Sequence, residues 1–102
     1  MIKVSVLYPN KANVRFDVQY YCNEHMAIVR ECLGAACKGI AVDAAISSDP
    51  LQPYCAIGHL FFDSVEVFQL AFGPHADRIM GDLPNFTDSQ PLVQISDVVI
   101  RP

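Results

Sequence analysis

The sequence predicts an α+β fold of the ferredoxin-like split β-α-β type: a four-stranded antiparallel sheet with two helices on one face, paired with a second copy as a dimeric α/β barrel. Three observations predict it. Apolar periodicity switches between two and 3.6 residues in the order strand, helix, strand, strand, helix, strand. The 102 residues fit a single domain spanning 1–102. The third strand is apolar on both faces, so the sheet face opposite the helices must also be covered, and a facing sheet from a homodimer partner covers it most simply. The composition agrees: 52% hydrophobic against 18% charged residues, with mean hydropathy +0.26, is more apolar surface than one small core hides.

Residues 2 to 8 open the chain with Ile2, Val4, Val6 and Tyr8 on one face, the two-residue period of a strand that Pro9-Asn10 stops. Asp17 is placed to cap a helix with the stripe Val18, Cys22, His25, Val29 and Cys32, widened by Tyr21, Ile28 and Leu33 and ended by Gly34. A second strand is expected within 37–46 around Ile40, Val42 and Ile46, followed by a loop at Ser47-Ser48-Asp49-Pro50. Residues 54–62 form the two-sided strand. Asp63 with Glu66 reads as an acidic capping box opening a helix with Val65, Phe68 and Phe72 on its core side. Pro74 should push residue 73 out of the helical region and start a short helix through Met80. A long polar connection, Gly81 to Pro91, then leads to a fourth strand from Leu92 to Ile100.

Eleven acidic against seven basic residues, a formal charge of -4, leave no electrostatic footprint for nucleic acid or anionic lipid. With neither a signal-peptide pattern nor a membrane-length apolar run, the expected location is the cytoplasm. Cys22, Cys32, Cys37 and Cys55 lack metal-site or disulfide spacing and are expected as reduced, buried thiols. On one helix Cys22 and Cys32 would lie about 15 Å apart, too far for a bridge. Cys22 and His25 alone make too few ligands for zinc, and no phosphate loop, haem pattern or nucleophile elbow is present, so neither metal nor cofactor is expected.

The strings MIKVSVLYPN, FDVQYYCNEHM, GHLFFDSVEVFQ, FGPHADRIMGDLPNFTD and PLVQIS occur in the order found in the EthD family, named for ethyl tert-butyl ether degradation, and the chain resembles that family over most of its length. Gly73-Pro74-His75-Ala76 with Ile79-Met80-Gly81-Asp82 and Pro84-Asn85 is the most specific block. Departures are Ala27, where a proline often follows the His-Met pair, Phe86, where a tyrosine is common, Cys22, and the 47–53 loop. The resemblance implies an apolar pocket between sheet and helices. Its relatives include cofactor-free oxygenases, isomerases, and decarboxylases or dehydratases, and fold analogy alone selects none of them.

Against that background His25 is the first candidate: an imidazole in mid-stripe faces the pocket and titrates near neutrality, as a proton shuttle must. Burial should lower its pKa unless an acid such as Asp17 or Asp82 lies close. Tyr21, four residues earlier, shares its face and could orient a substrate carbonyl or phenol. His59 shares a strand face with Cys55, Ile57 and Phe61 and points either at the pocket or at the dimer interface. His75 follows Pro74 in the first turn of the short helix. Two functions follow: a cofactor-free oxygenase-like or isomerase-like enzyme acting on a hydrophobic, cyclic or phenolic molecule, or a noncatalytic protein that binds such a molecule beside a catabolic oxygenase system. The sequence does not separate them.

Overall fold

The structure is a computed structural model describing residues 1–46 and 52–102. Period-two segments pair as β1 (Ile2–Pro9), β2 (Gly39–Ala44), β3 (Tyr54–Phe62) and β4 (Leu92–Asp97) in the sheet order β2-β3-β1-β4, with every neighbouring pair antiparallel. This is the ferredoxin-like arrangement. Register follows the apolar alternation: Val4 lies opposite Leu60 and Ile95, and Val6 opposite Gly58 and Val93. Ile2, Val4, Tyr8, Ala56, Leu60 and Phe62 thereby enter one buried core under the helices.

The first helical segment begins where expected, the Asp17 side chain accepting the Tyr20 N–H at 3.0 Å. It then departs from a uniform helix. Between α1 (Val18–Tyr20) and α2 (Met26–Leu33), residues Tyr21–His25 form a π-helical turn closed by the Met26 N–H on the Tyr21 carbonyl. The wider turn shifts the buried face, which runs Tyr21, His25, Met26, Val29 and Leu33. Cys22 is accordingly exposed, contrary to the expected stripe. Gly34, at φ 56°, ends the segment in a conformation that costs other residues most.

Several boundaries shift. Ile46 stands outside β2 and is almost fully exposed, and β4 stops at Asp97, leaving Val99 and Ile100 as solvent-exposed tail. Ser64, not Asp63, caps α3 (Val65–Phe72), accepting the Val67 N–H at 3.2 Å. Gly73 stays helical despite preceding proline, because without a Cβ it escapes most of the pre-proline clash. The chain passes through a 3-10 turn, Gly73–His75, and bends at His75 before α4 (Ala76–Gly81). The connection after α4 is not simply polar: a 3-10 turn at Leu83–Asn85 delivers Phe86, fully buried, into the core, and Thr87 bridges to Phe16. The loop expected at Ser47 to Pro50 lies outside the described residues. None of the described helices is long and apolar enough to cross a membrane.

Candidate functional site

Between the helices and the sheet lies a cavity of about 110 Å³ whose walls come from β1, β3, β4 and the helices, among them Val4, Leu60, Val29, Phe68, Phe72 and Ile79. Three of its lining residues carry polar side-chain atoms: Tyr8, Tyr21 and His25. The π-turn presents two of them. Its shifted phase sets Tyr21 and His25 on the cavity side with their rings stacked, centroids 5.5 Å apart and 16° between planes, and the Phe86 ring packs against both, 4.7 Å from the imidazole and 5.1 Å from Tyr21.

His25 is 3% exposed. Its Nδ1 lies 2.9 Å from Oδ2 of Asp82, and the other carboxylate oxygen of Asp82 accepts the Tyr20 hydroxyl at 2.8 Å and the Asn85 side-chain amide at 2.9 Å. An acid surrounded by donors is held as an anion. Burial raises the Asp82 pKa, but hydrogen bonds from Asn85, His25 and Tyr20 outweigh it and hold the carboxyl below its usual range. His25 moves down as well: burial disfavours the imidazolium more than Asp82 favours it. The acidic neighbour considered from the sequence is therefore Asp82, whereas Asp17 is committed to the helix cap. At neutral pH a neutral imidazole donates its Nδ1–H to an ionised Asp82, and Nε2, with no partner among the described residues, is the atom left for the cavity.

Tyr21 reaches across the cavity to β3, where a Cβ on Gly58 would collide with its hydroxyl. Its ring meets that of Tyr8 edge-on, with centroids 5.4 Å apart. Burial pushes the Tyr8 phenol up to about 12 and raises that of Tyr21, so both keep their protons at physiological pH. His25 and Tyr21 thus share the cavity. His59 does not: it points from the opposite face of the sheet, its Nε2 2.8 Å from Oδ2 of Asp43 and its Nδ1 buried without a partner. His75 sits half-buried in the 3-10 turn, outside the cavity lining. Of the cysteines, Cys22 is exposed and Cys32, Cys37 and Cys55 are half-buried, all free. Among the described residues no three His, Cys, Asp or Glu side chains converge as metal ligands.

Tyr20, Asn85 and Phe86 join the site without having been proposed for it from the sequence, and Asp82 was named there only as an acidic neighbour. The visible signal was the Asp82-to-Asn85 spacing in the Gly81 to Phe86 stretch, short enough for Asn85 to bond back to Asp82 across one turn.

Comparison with solved structures places the chain among proteins of this architecture. An EthD-like protein from Ralstonia eutropha JMP134 superposes with a TM-score of 0.89 at 39% identity, covering 99% of this chain and 94% of the other. An antibiotic biosynthesis monooxygenase matches at 0.57 and 13% identity over 98% of this chain and all of its own. A dimeric ferredoxin-like protein of unknown function from Bacteroides fragilis NCTC 9343 matches at 0.56 and 14%, covering 94% of each chain. At those last two identities only the fold is shared. No curated protein matches. The model of the EthD domain matches residues 14–90, from the approach to the Asp17 cap to just beyond the Asp82 and Phe86 turn, so with the close full-length structural match the chain belongs to the EthD family.

Proposed function

We propose that the chain binds a small hydrophobic molecule, cyclic or phenolic, in the cavity between sheet and helices and transforms it as a cofactor-free, oxygenase-like oxidoreductase with His25 as the proton shuttle. One observation carries this reading: a buried imidazole, held through Nδ1 by Asp82, lines a largely apolar cavity with Nε2 left over. Such a nitrogen takes a proton from a phenol or an activated carbon acid, and walls that exclude water keep the resulting anion from being solvated. In an oxygenase the anion gives its electrons to dioxygen. In an isomerase, the neighbouring chemistry, His25 returns the proton to another carbon. Family membership and the monooxygenase of like fold support the reading.

Oxygen consumption with simple phenols and cyclic ketones tests it. The variant His25→Gln keeps a hydrogen-bonding side chain but cannot titrate, and turnover should fall by about 10²-fold or more. Turnover that survives this change removes His25 from the reaction. A second reading, a noncatalytic binding or accessory protein, is favoured by the Tyr21 side chain being buried in packing, its hydroxyl against Gly58 and its ring edge-on to Tyr8, instead of free for substrate. It gains if ligand affinity changes while no substrate is turned over.

In the same proposal a second copy covers the open sheet face, where Ile57, Phe61 and the His59–Asp43 pair lie, and the dimeric Bacteroides protein supports such an assembly.

A further inference from the structure

The polarity of the hydrogen-bonding atom that His25 offers to the cavity constrains what can occupy it. Asp82 is an acceptor on all sides: Tyr20 and Asn85 donate to Oδ1, and the remaining oxygen faces His25 Nδ1. The imidazole therefore carries its proton on Nδ1, and Nε2 presents a lone pair. An occupant without a hydrogen to give leaves that lone pair unpaired in an apolar enclosure, at the cost of a lost hydrogen bond. No Lys or Arg lines the cavity, and the charge of Asp82 stands directly behind the imidazole, so an anionic occupant has no counterion. The volume, about 110 Å³, is somewhat below the roughly 150 Å³ of an apolar cavity that accepts benzene.

We infer that the occupant is a neutral hydrogen-bond donor no larger than a single ring, an alcohol or phenol whose O–H is given to His25 Nε2, and that Asp82 imposes this choice by fixing the imidazole tautomer. The inference rests on the proposed use of this cavity and adds to it a rule of selection: isomers equal in size and formula are told apart by whether their oxygen carries a hydrogen. Asp82 is a positioning residue, acting through His25 without touching the ligand. The arrangement also makes the rule reversible. In Asp82→Asn the amide oxygen must take the place of Oδ1 to satisfy Tyr20 and Asn85, which turns the amide NH₂ toward Nδ1. Nδ1 must then accept, the proton moves to Nε2, and the cavity presents a donor.

The probes are 4-fluorobenzyl alcohol and its isomer 4-fluoroanisole, with fluorobenzene as a reference lacking oxygen, titrated by ¹⁹F NMR. Transfer out of water alone favours the ether, because the hydroxyl is costlier to desolvate. The expected result is the opposite order, the alcohol binding about 10-fold tighter than the ether, and the order reversing in Asp82→Asn. Because Tyr8 and Tyr21 are unchanged in that variant, the reversal reports on Nε2. Ether ahead of alcohol, or the two equal, in the wild-type protein overturns the inference while leaving the cavity as a ligand site. Binding of none of the three overturns both. Should Asp82→Asn fail to fold, the ¹⁵N shifts of His25 in the wild-type protein decide: a protonated Nδ1 supports the inference, and a protonated Nε2 overturns it.

Discussion

Acid should act on His25 and Asp82 in the same direction. The folded-state pKa of His25 lies below its ordinary 6.5, so as the pH drops under 6.5 the unfolded chain takes up a proton that the folded chain refuses, and stability falls. Asp82 is held below 3.8, so its contribution is intact above that value and is lost as the pH falls through its folded-state pKa. Thermal melts followed by circular dichroism from pH 8 to 3 should show a plateau above pH 7 and a decline starting near 6.5. His25→Gln should remove the first stage of the decline and keep the second. Gly58 offers a different test. Gly58→Ala sets a methyl group against the Tyr21 hydroxyl and should cost about 1–3 kcal/mol in urea denaturation. Combining it with Tyr21→Phe, which removes the obstructing oxygen, should cost less than the sum of the two changes. His25 and Tyr21 were readable in the sequence because four residues separate them on an apolar helix. Asp82 could only be suspected: it lies 57 residues from His25 in the chain, and a segment of Gly, Asp, Pro and Asn gives no periodicity that places a side chain.

Strands were the most legible elements, since period-two alternation survives any choice of neighbours and fixes which residues share a face. Helix details were less so. A π-turn adds a residue without changing composition, and nothing in Tyr21 to His25 separates it from an ordinary turn until Tyr21 and His25 are seen packed on the same cavity. At the start of α3, Asp63 and Ser64 are adjacent residues of capping type, and spacing to Glu66 pointed to the wrong one. Packing decides the phase: Phe68 must meet Phe62, ring centroids 5.1 Å apart, and that sets the first turn on Ser64. Ser64→Ala should therefore destabilise the protein by about 1 kcal/mol, whereas Asp63→Ala should stay within about 0.5 kcal/mol. Equal losses in chemical denaturation would return the cap to Asp63.

At the scale of the molecule, the two-sided apolar strand inferred from the sequence is β3, with Ala56, Gly58, Leu60 and Phe62 toward the helices and Ile57, His59 and Phe61 on the open face. The proposed second copy should appear in light scattering at micromolar concentration as twice the 11.3 kDa chain mass, and a stable monomer would overturn the pairing. Placing a charge on the open face, as in Phe61→Asp, should disperse or aggregate the assembly. The extent of the fourth strand was the part least legible: Val98-Val99-Ile100 has strand composition, yet the antiparallel register with β1 runs out at Asp97 opposite Ile2, and composition alone does not show where a partner strand ends. Because β3 forms a floor for the cavity on one side and the open face on the other, its residues divide by parity. A saturation scan along this one strand should read as two interleaved phenotypes, even-numbered positions governing ligand uptake and odd-numbered positions governing assembly. Each of these properties could then drift in related sequences without disturbing the other.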